Sequence, residues 1–411
     1  MNRQPWLYIL IVFITSCATN RNVPVAPPVV NAPPVKKDSV VVAKAEVKKP
    51  EKKIFHLQLL LSLNAAHYLE NDSSGGALHL DMESLNLSSL HLYEGMQLAA
   101  EQGDSSLVIS VNDAGSDSLR AMKFLKDKNQ KDNDLVISMI SPSLNATAAV
   151  ASTDAEYPLV ITQHITSSVL FGNKNAWLAS PSNKTQCRQM ASYVQLKQPS
   201  AVYRFIYRSD NKKETDLADL FYSEMISLGV DSGNCKKINY NTDGWNLIQK
   251  NWKAGKKNVL FIPISDESIL TSLLKKIDTH DASEVMIIGL PTWEFFETMD
   301  FSLLENLNTH LFSSSYIDYE DENVKAFRKR FVETYHADPL PSAFTGYDYY
   351  NWVSGNFNKH GNKIADFESI PNLTSPTSGF RFKRVCDNCG WENQYISVLK
   401  FQEGVLVKVN K

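Results

Sequence analysis

Residues 107–162 read LVISVNDAGSDSLRAMKFLKDKNQKDNDLVISMISPSLNATAAVASTDAEYPLVIT. Three short apolar runs stand out: Leu107 to Val111, Leu135 to Ile140 and Leu159 to Thr162. Between them, Ser116 to Lys128 and Ser143 to Thr153 carry helical spacing. The runs are apolar at consecutive positions, so both faces of each strand are expected to be covered. That is the pattern of a parallel sheet with helices on each side.

The alternation extends outward. Upstream, His56 to Leu61 reads as a strand, and Leu87 to Gln102 repeats apolar residues at Leu92, Met96 and Ala99. Residues 63 to 86 are crowded with Asn, Asp, Ser and Gly and read as a long surface loop. Downstream of Trp177 the pattern restarts. Helices are expected at Lys184 to Gln195, Glu214 to Leu228, Gly244 to Lys253 and Glu267 to Ile277. They alternate with strands at Ala201 to Tyr207, Lys237 to Tyr240, Asn258 to Ile262 and Val285 to Leu290. A strand near Thr309 to Ser313 and helices Asn323 to Tyr335 and Ser342 to Phe357 follow. The chain ends in β structure at Gly379 to Lys383, Gln394 to Phe401 and Val405 to Val409, with Glu403-Gly404 as a hairpin turn. The reading is α/β, with two doubly wound parallel-sheet lobes and a cleft beyond the carboxyl ends of the strands.

Several segments, in order, carry a resemblance. They are HLYEGMQLAAEQ (91–102), LVISVNDAGSDSLRAMKFL (107–125), LVISMISPSLNATAAVAS (135–152) followed by YPLVIT, SAVYRFIYRSD (200–210), EVMIIGLPTW (284–293) and VKAFRKRFVETYHADPLPSAFTGYDYYNWV (324–353). Residues 54–411 resemble the type I periplasmic binding proteins, in their leucine/amide-binding branch. The resemblance implies two lobes joined by a three-strand hinge that close on a small ligand. Lobe 1 would be 54–179 with 315–372, and lobe 2 would be 180–314 with 373–411. It also implies ligand contacts from Ser141, Ser143, Thr166 and Ser167 on lobe 1. Tyr207, Asp210 and Trp293 would contribute from lobe 2. Hydroxyls and free amides at helix starts suit a carboxylate, although Ser143 reads equally as a helix N-cap and Trp293 equally as packing. The family's usual Pro-Leu-Ser-Gly-like turn is Leu61-Ser62-Leu63-Asn64 here, and Asn211-Lys212-Lys213 replaces its Tyr-Gly pair. Ser141 stands where the family has Gly.

The amino terminus sets the compartment. Arg3 precedes the apolar run Ile9 to Ile14, and Thr15-Ser16-Cys17 ends it. The run is too short to span a bilayer, and the order is that of a bacterial lipoprotein signal cleaved before a lipidated Cys17. Residues 18–53 are rich in Pro, Lys and Val, with Pro27-Pro28 and Pro33-Pro34, and read as a disordered tether. Residues 21–53 carry a net charge of +5 and Arg3 adds one more. With the whole chain at −3, residues 54–411 carry −9. An acidic body argues against nucleic acid as a partner. Ala18 and the lack of an acidic run after Cys17 point to the periplasmic face of an outer membrane.

Catalytic and metal signatures are missing. The nine histidines show no His-x-x-x-His spacing. No Gly-x-Ser-x-Gly elbow or phosphate-binding glycine loop occurs, and Ser272 to Lys275 spells Ser-x-x-Lys inside an amphipathic helix. No catalytic residue, cofactor or metal is therefore expected, and the chain reads as a non-enzyme. Cys386-Asp387-Asn388-Cys389 falls at a strand-to-strand turn, where a local disulfide is expected; Cys187 and Cys235 are left without an assigned pairing. Taken with the resemblance, the chain reads as a lipid-anchored envelope protein that captures a small polar solute, an amino acid or amide, for an ABC-type uptake permease. The alternative is an outer-membrane lipoprotein that regulates a peptidoglycan synthase or another envelope protein by contact.

Overall fold

The computed structural model describes residues 54–410 apart from 73–83, 104–105, 116–117, 128–132, 156, 365–366 and 368–378. The expected signal segment with Cys17, and the tether to residue 53, lie outside the described residues.

Ten strands form two parallel runs of five. β1 (Phe55–Leu61), β2 (Leu107–Asp113), β3 (Leu135–Met139), β4 (Leu159–Ile161) and β5 (Ala176–Leu178) pair in the order 2-1-3-4-5. β6 (Val202–Tyr207), β7 (Cys235–Asn239), β8 (Asn258–Phe261), β9 (Val285–Gly289) and β10 (Thr309–Ser313) repeat that order as 7-6-8-9-10. Every side chain of β3, β8, β9 and β10 is buried. This explains their mainly apolar character: helices cover both faces. The outermost strands β2 and β7 mix exposed and buried positions, as a sheet edge must.

The helices are α1 (Ala65–Asp72), α2 (Ser84–Ala100), α3 (Ser118–Leu125), α4 (Pro142–Ala155), α5 (Asn183–Lys197), α6 (Lys212–Ser227), α7 (Tyr240–Lys250), α8 (Glu267–Ile277), α9 (Phe301–Asn306), α10 (Glu322–Tyr335) and α11 (Pro341–His360). In the stretch expected to be loop, residues 65–72 form α1 instead. A carboxylate at the end of β2 caps that helix, and the cap is not visible in the local sequence. The remaining strands are β11 (Phe382–Arg384), β12 (Trp391–Asn393), β13 (Ser397–Gln402) and β14 (Val405–Lys408).

The lobe boundary near the carboxyl terminus differs from the expected one. β12 pairs parallel with β5 through Trp391 and Trp177, and β11 pairs with β12. Residues 382–393 therefore complete the first sheet, where the sequence reading assigned 373–411 to the second. The cause is aromatic packing. Trp391 stacks on Trp177 with ring centroids 4.9 Å apart, and Phe382 meets Trp177 at 5.0 Å and Trp352 at 5.1 Å. β13 and β14 add to the second sheet beside β10. Glu403 and Gly404 turn this last hairpin with φ of 51° and 77°, the left-handed pair that a two-residue hairpin requires.

The chain thus passes between lobes three times: after β5, after β10 and between β12 and β13. The first and third passages are tied together. Asn393 Nδ2 donates to the Ala179 carbonyl at 3.0 Å, and the Ser182 amide donates to Glu392 Oε1 at 2.8 Å. Cys386 and Cys389 are bonded to each other in the β11–β12 turn, whereas Cys187 and Cys235 are buried, free thiols. No helix of the described residues is long and apolar enough to cross a membrane.

Candidate functional site

A large cavity lies where the lobes meet. It measures about 960 Å³ and opens to solvent, at the upper end of the usual size for a small-molecule site. His164 and Pro341 enter it from lobe 1 and Ser180 from the first passage. Residues 313–320, the second passage, form one wall. Thr292, Glu294 and Phe295 come from the short 3-10 helix Pro291–Phe295 after β9, and Val405 to Lys408 of β14 close the far side. The Tyr316 hydroxyl donates to the Leu406 carbonyl at 2.9 Å, which fixes that wall against β14.

None of the seven ligand residues expected from the sequence lines this cavity. Trp293 is fully buried, and its indole N–H donates to the Ile264 carbonyl at 2.9 Å. A Cβ on Gly289 would lie 2.3 Å from the Trp293 ring, so the missing side chain of Gly289 is what seats the indole. Trp293 is therefore a core residue rather than a lid, and its neighbours Glu294 and Phe295 face the cavity. The strand-end loop was legible; which of its residues points outward was not, because a 3-10 turn starting at Pro291 sets that rotation.

Thr166 and Ser167 line a second interlobe groove of about 960 Å³ with Phe171, Lys184, Asp216 and Asp219. The Thr166 hydroxyl accepts from the Ser168 amide at 3.4 Å as a cap of the 3-10 helix Ser167–Leu170. His164 borders both cavities. Its Nε2 lies 2.9 Å from Asn183 Oδ1 on α5, a polar link across the lobes. Ser141 and Ser143 sit at the start of α4 with their hydroxyls 3.3 Å apart, Ser143 exposed and bordering neither interlobe cavity. Asp210 lies in a shallow basic groove with Arg208, Lys212 and Lys213. Tyr207 is half-buried at the end of β6, packed against the lobe 2 core. The expected constellation is thus spread over several places rather than gathered in one.

Asp113 explains part of this. Its Oδ1 accepts from the amides of Leu63 and Asn64 at 3.0 Å and of Gly115 at 2.8 Å, and its Oδ2 from Ala65 at 2.9 Å. Partial burial pushes the carboxyl up, and the four amides more than offset it, so it lies below the ordinary carboxylate range. The electropositive start of α1 is therefore filled by the protein's own carboxylate and offers nothing to an anionic ligand. An acid at a strand end followed by Ala-Gly was the available signal for it.

In lobe 2, Arg208 forks onto the buried Glu214, with Nη2 to Oε1 at 2.5 Å and Nε to Oε2 at 3.0 Å. That pair braces the α6 entry. Among the described residues, no group of three or more His, Cys, Asp or Glu side chains is placed to hold a metal ion.

No family model matches the sequence, and no curated protein matches it. Solved structures do match the fold. An ABC transporter substrate-binding protein from Desulfitobacterium hafniense, solved with Leu, is 18% identical over 87% of this chain and 100% of its own, with a TM-score of 0.51. A protein from Rhodospirillum rubrum described as a branched-chain amino acid ABC transporter is 11% identical over 87% of this chain and 100% of its own, with a TM-score of 0.61. The C-domain of LpoA from Haemophilus influenzae, a regulator of PBP1A, is 11% identical over 86% of this chain and 99% of its own, with a TM-score of 0.58. The two lobes, their sheets and their three connections are the fold of the type I periplasmic binding proteins.

Proposed function

We propose that this chain is a non-enzymatic envelope lipoprotein that binds a small polar solute between its lobes and serves an ABC-type uptake system. The observation that carries this reading is the cavity of about 960 Å³ built jointly by both lobes and the second passage between them. A ligand touching both lobes gains its full contacts only when they close, so binding selects the closed form. Attachment to the membrane would run through a lipid on Cys17, whose apolar leader and following tether keep the body in the envelope.

A second reading has its own support. The fold matches the LpoA C-domain, a regulator of PBP1A, as well as solute-binding proteins. The dispersal of the expected ligand residues and the occupied start of α1 also favour it. On that reading the body contacts a cell-wall synthase or another envelope protein, and the cleft takes no solute.

One experiment addresses anchoring and binding together. Cys17→Ala should shift the chain from the membrane to the soluble envelope fraction. The released protein is then screened by thermal shift against amino acids, amides and cell-wall fragments. A true ligand at a hundredfold excess over its Kd stabilises by about 2.7 kcal/mol, a shift of several degrees. Retention in the membrane would overturn the lipid anchor. A panel without a hit, alongside co-purification with a cell-wall synthase, would replace solute capture with the regulatory reading.

A further inference from the structure

The main cavity carries a charge pattern that narrows what it can hold. Glu294, Asp318 and Glu320 contribute three carboxylates to its lining. Two are engaged elsewhere. Asp318 Oδ1 accepts from the Glu320 amide at 3.0 Å, and Glu320 pairs with Lys325 on α10 at 3.1 Å. Glu294 is different. It is half-buried, and among the described residues no hydrogen bond or ion pair reaches its carboxylate.

The cations of the lining do not compensate for it. The Lys408 ammonium donates to the Tyr395 hydroxyl and lies over that ring, 5.0 Å from its centroid. The His164 imidazole is held by Asn183 on α5. Aromatic rings surround the carboxylate instead. Tyr316 and Tyr319 stand close enough for the Glu294 charge to act on both phenols. Phe295, 74% exposed, and Tyr319, 50% exposed, present ring surface beside it.

We propose that this cavity takes a cationic organic amine without a carboxylate, with Glu294 as its counter-ion and Tyr316, Tyr319 and Phe295 around its apolar body. The assignment rests on the solute-capture reading and names the ligand class for that site. A partly desolvated carboxylate with no partner is costly to keep charged, and an ammonium or guanidinium group supplies the missing partner. Aromatic faces add cation–π attraction to the same ligand. A zwitterion or an anion would bring its own carboxylate against Glu294 and Asp318, and among the described lining residues the one ammonium, Lys408, is drawn onto the Tyr395 ring. The lining does offer neutral hydroxyls, from Ser180, Thr292 and Ser313 to Ser315, whereas the four expected from the sequence, Ser141, Ser143, Thr166 and Ser167, lie outside this cavity. Burial also pushes the Glu294 carboxyl above its ordinary value, as an unpaired acid in this setting requires.

The test uses three compounds with one apolar body: isoamylamine, L-leucine and 4-methylpentanoate. Calorimetry on the full mature chain should show isoamylamine binding, L-leucine at least about tenfold weaker and 4-methylpentanoate not binding. Loss of one charge-assisted contact should weaken isoamylamine about tenfold or more in Glu294→Gln, with the melting temperature kept. Glu322→Gln, on the outer side of α10, should bind as the wild type does. L-leucine binding as tightly as the amine, or Glu294→Gln binding it unchanged, overturns the cation assignment and leaves solute capture standing. Failure of all three compounds to bind also overturns the cation assignment, while the broader panel of solutes judges solute capture separately.

Discussion

At the scale of single residues, the chain is governed by what burial does to polar groups. His310 on β10 is the sharpest case. Burial pushes its pKa down to about 4, and its Nδ1 lies 2.9 Å from the Asn308 carbonyl, which the neutral ring's N–H satisfies. In the unfolded chain a histidine titrates near 6.5, so between about pH 6.5 and 4 the unfolded state binds the extra proton. The stability from the neutral ring is complete above that window and lost as pH falls through it, by about 3 kcal/mol. Burial moves His91 the same way, while Glu94, raised by burial to about 7, gains stability on acidification and opposes both. The comparison that isolates His310 is with His310→Gln. Denaturant unfolding from pH 7 to 4 should show the wild type losing about 3 kcal/mol relative to the variant. Parallel pH profiles would contradict this. Residues were the least legible level of the sequence. Trp293 was read one position away from the groups that face the cavity, because Gly289 draws the indole inward. Asp113 was missed because its four amide partners come from loops that are remote in sequence on one side.

At the scale of elements, much was legible, and the failures share a cause. Long apolar strands such as β1 and periodic helices such as α2 and α11 announce themselves. β5 and β12, each three residues long, do not, and β12 is recognisable only by the partner Trp391 finds in Trp177. The lobe boundary shifted for that reason. The α2–α11 crossing was also silent in the sequence, although its glycines were visible. A Cβ on Gly95 would lie 1.9 Å from the Ala343 carbonyl oxygen, and one on Gly346 2.0 Å from that of Leu92. Both contacts are with backbone, so neither can yield by a rotamer change. Gly346→Ala must push the helices apart, and we expect a loss of about 3 kcal/mol or failure to fold. Gly361→Ala at the end of α11 has open space around it and serves as the comparison, its cost confined to a φ of 62°. Equal stability of Gly346→Ala and wild type in thermal unfolding would show that the helices do not cross this closely.

At the scale of the whole molecule, the repeated 2-1-3-4-5 order makes two similar lobes. Three passages hold them, and the first and third are clamped by Asn393 and Glu392. The second, residues 313–320, is instead a wall of the cavity. A ligand resting on that wall touches the segment that must flex if the lobes close. The two lobes are readable from strand and helix order and the three passages from the resemblance, whereas the chemistry of the cleft is not. Of the ligand positions expected from the resemblance, Thr166 caps a 3-10 helix and Trp293 packs in the core. The central claim is that solute occupies the interlobe cavity and closes the lobes over it. Small-angle X-ray scattering of the mature chain, with and without saturating isoamylamine, tests it most directly. The account predicts a smaller radius of gyration with the amine and no change in Glu294→Gln. An unchanged radius in wild-type protein, at concentrations where calorimetry shows the amine bound, would contradict it.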